Sequence, residues 1–267
     1  LTTTLYLNPM ESSRQTIETL STNPNSINNG EDLIFEWNSF QNPFTYQLSS
    51  KIKTQNNLYP IKHIQFPIQN LDQKYEKYLE AGEIIDITPK IITKASEIVD
   101  GETDLYSAVF KISDWVNNNI EYDLSTLTAE AALQSSWVLD NREGVCDEIS
   151  SLFISLSRAV GIPARFISGS AYSNLNHSFE NHGWAEIYFP GQGWIPYDIT
   201  FGQFGWIDPS HIELDKSIDA GEPSVRYSWK SMGTSLESSS FQDEKLIIGE
   251  GNKIQPPFTF TIEPLFD

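Results

Sequence analysis

The chain is predicted to be an α+β protein in which helices pack on an antiparallel β-sheet, with an antiparallel β-domain ahead of them. Two observations predict it. Apolar residues alternate with polar ones in parts of residues 1–88, the period of half-buried strands, and strand signals return between about 164 and 200. From Thr88-Pro89 to Val160 the apolar residues instead recur every three or four positions, the period of helices. With 267 residues, the chain is long enough for one large domain or two smaller ones.

Gln15–Leu20 reads as one short helix. Leu33, Phe35 and Trp37 alternate with their neighbours, as do Phe44, Tyr46 and Leu48, and Ile64, Phe66 and Ile68. Three strands are expected there, separated by the turn-rich stretches 23–30 and 55–57, and a small sandwich is the natural arrangement for them. Helical spacing begins with Ile91, Ile92, Ala95 and Ile98 before Gly101, and continues with Leu105, Val109, Ile112, Val116 and Ile120. Over 146–160, Ile149, Leu152, Phe153, Leu156 and Val160 form one face of an amphipathic helix, stopped by Gly161 and Pro163. A hairpin signal follows, in which Pro190-Gly191-Gln192-Gly193 joins His182–Phe189 to Trp194–Thr200. Near the end, Phe258, Phe260 and Ile262 alternate with threonines in a final strand. Three segments result: an N-terminal β-sandwich-like domain over 1–88, a helix-and-sheet domain over 89–235, and a C-terminal segment over 236–267 whose strand is expected to pair with the N-terminal domain.

Composition narrows the function classes. Hydrophobic residues at 39%, charged residues at 20% and aromatic residues at 12% belong to a folded chain rather than a disordered one. Thirty-six acidic against 17 basic residues leave a formal charge of -19, which disfavours nucleic acid and anionic lipid as partners. No run of about 18 apolar residues is present to span a bilayer. An extracytoplasmic or cell-surface location is expected, with an upstream signal or anchor removed, because the first residue is Leu. Scattered histidines lack zinc-ligand spacing and no calcium-loop pattern occurs, so no required cofactor or metal is expected.

The one cysteine, Cys146, can form neither an internal disulfide nor a cysteine-rich metal site. It is either a nucleophile or a small buried hydrophobe. Gly144 gives the chain freedom to turn just before the helix, so Cys146 falls in or next to its first turn. There, unpaired backbone N–H groups and a neighbouring imidazolium would lower the thiol from about 8.5 into the range of about 3.5–7.5. Asp147 and Glu148 act the other way if they point at the sulfur, so a cationic partner is required. Four histidines are available: His63, His177, His182 and His211. Antiparallel pairing of the hairpin brings His182 toward Asp198, where a carboxylate would fix the imidazole's tautomer. Nucleophile, general base and orienting group are then Cys146, His182 and Asp198.

These residues carry a family resemblance. Gly144-Val145-Cys146, Leu152-Phe153, the run from Ser157 to Arg165 and Gly169 look like the nucleophile helix and following strand of the transglutaminase-like superfamily, whose core is papain-like. His182–Tyr188 and Gly193–Thr200 look like its histidine and aspartate blocks. The resemblance implies that 89–235 is a catalytic domain using Cys146, His182 and Asp198, with Trp137, or Gln134 beside it, as the candidate oxyanion donor. It implies a thiol-dependent acyl-transfer enzyme that forms a cysteine thioester on peptide or glutamine carboxamide bonds, foremost a cysteine peptidase or amidase acting on a protein or peptide. Protein-crosslinking transglutaminase activity and a non-catalytic binding module on the same fold are the alternatives.

Overall fold

Strands built from short alternating segments come first in the computed structural model, which describes residues 1–30, 32–37, 46–60, 62–126, 132–173, 177–221 and 225–228. They are β1 (Thr2–Leu5), β2 (Gln15–Asn23), β3 (Ile27–Asn28), β4 (Leu33–Glu36) and β5 (Gln47–Thr54). The helical part holds α1 (Pro89–Ile98), α2 (Leu105–Asn119), β6 (Glu121–Tyr122), α3 (Ser135–Asn141), β7 (Glu143–Gly144) and α4 (Cys146–Ala159). Strands β8 (Ala164–Ser173), β9 (Ser178–Phe189), β10 (Gly193–Asp198), β11 (Gln203–Phe204), β12 (Ile212–Ser217) and β13 (Val225–Ser228) follow. Leu1–Gly233 form one unit, and residues on both sides of position 88 pack within it. The final strand expected at 258–262, the rest of 236–267 and Phe44 lie outside the described residues.

Three antiparallel sheets have the orders β13-β1-β4-β3, β2-β5 and β11-β10-β9-β8-β12, while β6 and β7 pair in parallel. Two local expectations are corrected. Gln15–Leu20 belongs to strand β2 rather than a helix, because its β-branched Thr16, Ile17 and Thr19 suit a strand and pair with β5 across a register shift near Ile17. Ile64–Ile68 does not form a strand. Instead the Ile64 carbonyl accepts the Leu105 N–H at 2.7 Å and the Phe66 N–H donates to Thr103 at 2.9 Å, so this segment holds the start of α2; Pro67 has no N–H to extend a ladder.

Helix boundaries follow their caps. Thr88 Oγ1 accepts the Ile91 N–H with Pro89 opening α1, and Asp104 Oδ2 accepts the Ser107 N–H at the start of α2. α4 is the central element, packed against β9 and β8 on one side and α1, α2 and α3 on others. Its amphipathic pattern therefore understates its burial: Ser150, Ser151, Ser155, Ser157 and Arg158 are buried along with the apolar face. Most of these polar groups are paired, Ser150 Oγ donating to the Gly183 carbonyl at 3.0 Å and Ser157 Oγ to the Phe153 carbonyl at 2.8 Å. Arg158 donates to the carbonyls of Ala164, Glu80 and Ile218, tying the end of α4 to the start of β8 and to two segments outside the helix. The apolar core between helices and sheet includes Ile112, Phe153, Leu156, Ala185, Ile187 and Phe189. Among the described residues no helix is long and apolar enough to cross a membrane.

Candidate active site

Cys146 is the first residue of α4, and the reason lies one turn on. Glu148 turns back so that Oε2 accepts the Val145 N–H at 2.9 Å and Oε1 the Leu133 N–H at 3.1 Å, which fixes the helix start and ties it to the segment before α3. Glu148 is thus a buried structural cap and not a charge aimed at the thiol. Gly144 serves space rather than conformational freedom, since a Cβ there would meet the Glu148 Cβ at 2.8 Å.

The histidine and aspartate come from the hairpin. β9 and β10 pair with Tyr197 opposite Ala185, and extending that register sets Asp198 beside Trp184 and His182 one pleat further along the same face. His182 and Asp198 are therefore diagonal neighbours rather than directly opposed, and His182 Nε2 lies 2.8 Å from Asp198 Oδ2. That bond leaves Nδ1 as the nitrogen free to accept a proton. Phe201 donates its N–H to Asp198 Oδ1 at 2.9 Å and stacks its ring on the imidazole at 4.6 Å between centroids. Burial by itself would raise the fully buried Asp198; its bonds to two imidazoles outweigh that and hold it well below the usual carboxylate range.

α4 and the hairpin meet at Gly183, the residue after His182. A Cβ there would run into Asp147 Oδ1 and the Phe166 ring, so only glycine allows the approach. The Gly183 backbone N–H acts on the Cys146 sulfur across this approach, favouring its charged form. The thiol's own hydrogen bond runs to Asp147 Oδ1 at 3.5 Å rather than to His182. Although Cys146 is partly exposed, burial pushes its thiol far up; the Asp147 carboxylate adds to this and the Gly183 N–H offsets a part. Asp147 is itself raised by burial. Burial and Asp147 thus favour the thiol form over the thiolate that a helix N-terminus with a cationic neighbour predicts.

Trp137 lies on α3, partly buried against the apolar core, and Gln134 Nε2 donates to the Glu83 carbonyl at 3.0 Å. Of the other histidines, His63 and His177 are exposed. Sequence reasoning passed over two residues. Tyr122 pairs across from Gly144, is 50% exposed, and its phenol is raised first by burial and then by the electrostatics of its neighbours, acidic Glu180, Asp147 and Glu148 among them. His211 is fully buried with Nε2 2.9 Å from Asp198 Oδ2. Neither stands in a recognisable motif; only the fold brings them in. His182, Asp198 and His211 also place ligand atoms within 4.8 Å of one another, the arrangement among the described residues that could hold a metal ion.

A thiol at a helix N-terminus, set against a sheet that carries a bonded His–Asp pair, is the site layout of a papain-like core. The family profile described as the transglutaminase-like superfamily matches residues 92–199. Residues 92–199, which contain Cys146, His182 and Asp198, thus match the core domain of that superfamily, whose members are usually cysteine-dependent enzymes. The chain is 23% identical over 164 residues to the uncharacterised protein YebA of Bacillus subtilis, covering 55% of this chain and 21% of YebA. To a protein-glutamine gamma-glutamyltransferase of Pseudomonas aeruginosa it is 34% identical over 85 residues, covering 29% of this chain and 12% of that one. The chain thus spans less than a quarter of the length of either relative. A solved structure from Cytophaga hutchinsonii, described as a candidate cysteine protease, shares the fold with a TM-score of 0.60 and 21% identity, over 90% of this chain and 88% of that one.

Proposed function

We propose that the chain is a thiol-dependent acyl-transfer enzyme in which Cys146 is the nucleophile, His182 the general base and Asp198 the orienting group. The observation that carries this reading is the 2.8 Å His182–Asp198 bond on the strand whose next residue, Gly183, packs against Asp147 at the start of α4, beside Cys146. For attack, the thiol turns from Asp147 to His182 Nδ1 and gives up its proton there as sulfur bonds to the carboxamide or peptide carbonyl carbon. The tetrahedral intermediate collapses as His182 passes the proton to the departing amine, leaving a thioester. Water then adds with His182 as base, the thioester C–S bond breaks, and carboxylic acid and free thiol are released. The Cys146 backbone N–H at the helix start and Trp137 are the proposed oxyanion donors.

Hydrolysis is the preferred outcome, which makes the protein a cysteine peptidase or amidase on protein or peptide substrates. The glutamyltransferase relative supports amine transfer as the competing outcome. A non-catalytic module is favoured by one observation only, the raised thiol turned toward Asp147. An extracytoplasmic or cell-surface location belongs to the same proposal; the acidic balance supports it, whereas the scarcity of cysteine fits a reducing compartment as well as export.

A glutamine-containing peptide library incubated with and without a labelled primary amine separates the three readings. Cleavage or deamidation without amine incorporation is the expected result. Amine incorporation selects crosslinking, and no thioester trapped on Cys146 by mass spectrometry rejects catalysis.

A further inference from the structure

The Cys146–His182–Asp198 scheme has no use for His211, yet this ring is held on both of its nitrogens inside the site. Nε2 lies 2.9 Å from Asp198 Oδ2, the same oxygen that His182 Nε2 approaches at 2.8 Å. Nδ1 lies 3.3 Å from both the carbonyl oxygen and Oδ1 of Asp208. Ionised carboxylates and carbonyls are acceptors only. A neutral imidazole of either tautomer would therefore aim one lone pair at an oxygen lone pair, and only the doubly protonated ring supplies a proton to every contact.

The surroundings support a buried cation. Asp198 faces the ring from β10 and Asp208 from its own loop, while His182 stands 5.7 Å away between ring centroids on β9. The buried guanidinium of Arg14, at the start of the N-terminal strands, reaches over to the carbonyls of Asp208 at 2.9 Å and His211 at 3.5 Å and so holds the loop in place. Trp184 and Phe201 close the remaining sides edge-on at 5.2 and 5.6 Å. Burial opposes charge on His211, but the bonds to Asp198 and Asp208 exceed it and the ring is raised above the ordinary histidine value.

We infer that His211 is a buried imidazolium that positions the Asp198 carboxylate and offsets its charge, keeping His182 in the neutral, proton-accepting form. An aspartate serving one histidine alone would favour the imidazolium of that histidine. Here a second cation shares the same oxygen, so part of that pull is cancelled. This matches the protonated resting thiol, whose proton needs a neutral base. It also bears on metal binding, because a proton on each Nε2 occupies the lone pair that a metal ion would take. His211 acts through Asp198 and does not touch the reacting atoms, so it is a positioning residue; its role rests on the proposed triad, whereas its charge does not.

Two measurements on the full chain test this. In protein labelled with nitrogen-15 in its histidine rings, with His211→Gln used for assignment, both His211 nitrogens should remain protonated at pH 8, above the ordinary histidine value of about 6.5. The rate of Cys146 alkylation by iodoacetamide is then followed against pH in the wild type, His211→Gln and His211→Gln/His182→Ala. Gln retains a donor for Asp198 without the charge, so His182 protonates more readily, a thiolate–imidazolium pair forms, and alkylation at pH 7 rises about three- to ten-fold. The gain should vanish in the double variant, which distinguishes it from thiol exposure by loosened packing. A neutral His211, an unchanged profile, or a gain that survives His182→Ala overturns the inference. Turnover by a Cys146→Ala protein, in contrast, would sink the catalytic reading and leave the charge on His211 where the spectrum puts it.

Discussion

Asp147 holds the thiol of the nucleophile and adds to the rise that burial imposes on it. Burial is the largest cause of the raised thiol and the Asp147 carboxylate the next, so Asp147→Asn removes the second cause and leaves the first. The thiol then titrates lower than in the wild type, and iodoacetamide labelling of Cys146 at pH 7 is expected to accelerate several-fold; an identical pH profile would show that Asp147 does not act on the sulfur. Substitutions in the proposed triad have separate signatures. Cys146→Ala should abolish thioester formation, and His182→Ala should reduce turnover by about 10²–10⁴-fold, the span of general-base contributions, read as kcat in the peptide assay. At this scale the sequence was informative about residue type and local setting. It could not report which way the thiol points, since Asp147 and His182 compete for it in space.

Two elements meet at one glycine, and their fit is testable there. Gly183→Ala puts a methyl group against Asp147 Oδ1 and the Phe166 ring, so α4 and β9 must part; a loss of about 1–3 kcal/mol in urea unfolding is expected, together with slower turnover. Glu148→Ala leaves the buried Val145 N–H and the partly buried Leu133 N–H without their partner and should cost about 1–3 kcal/mol by the same measurement. Neither consequence was visible in the chain. Helix α4 was legible from its three-and-four spacing, and the β9–β10 hairpin from its Pro-Gly turn and flanking apolar runs, because both signals are local. Segment Ile64–Ile68 misled for a matching reason: alternation records which residues are buried, but its hydrogen bonds go to the start of α2 instead of a neighbouring strand.

Across the whole molecule, the buried charges around Asp198 link stability to pH. Asp198 is held below its ordinary value, so its contribution is present above about pH 4 and fades as pH falls toward the folded-state value. His211 is raised, so its contribution is complete below about pH 6.5 and fades as pH rises through the folded-state value. The contribution of Asp198 and His211 to thermal stability should therefore be largest between about pH 4 and 6.5 and decline on either side. His211→Gln should remove its part of the alkaline decline, and calorimetry across pH checks both limbs. The N-terminal strands take part in the same linkage. Arg14→Met removes the donor to the Asp208 and His211 carbonyls, lowers the melting temperature, and should move the Cys146 labelling profile in the direction of His211→Gln.

From its residues alone, the chain determined its helical and hairpin segments, the isolation of its sulfur, and the pairing of His182 with Asp198, because each rests on spacing or on a turn a few residues long. The tertiary structure decided what surrounds that pair. His211 reaches Asp198 from a loop after β11, Arg14 reaches that loop from the turn just before β2, and Gly183 admits α4 only because nothing projects from its Cα. Such contacts join residues far apart in sequence through burial and hydrogen-bond satisfaction, and these leave no periodic trace along the chain.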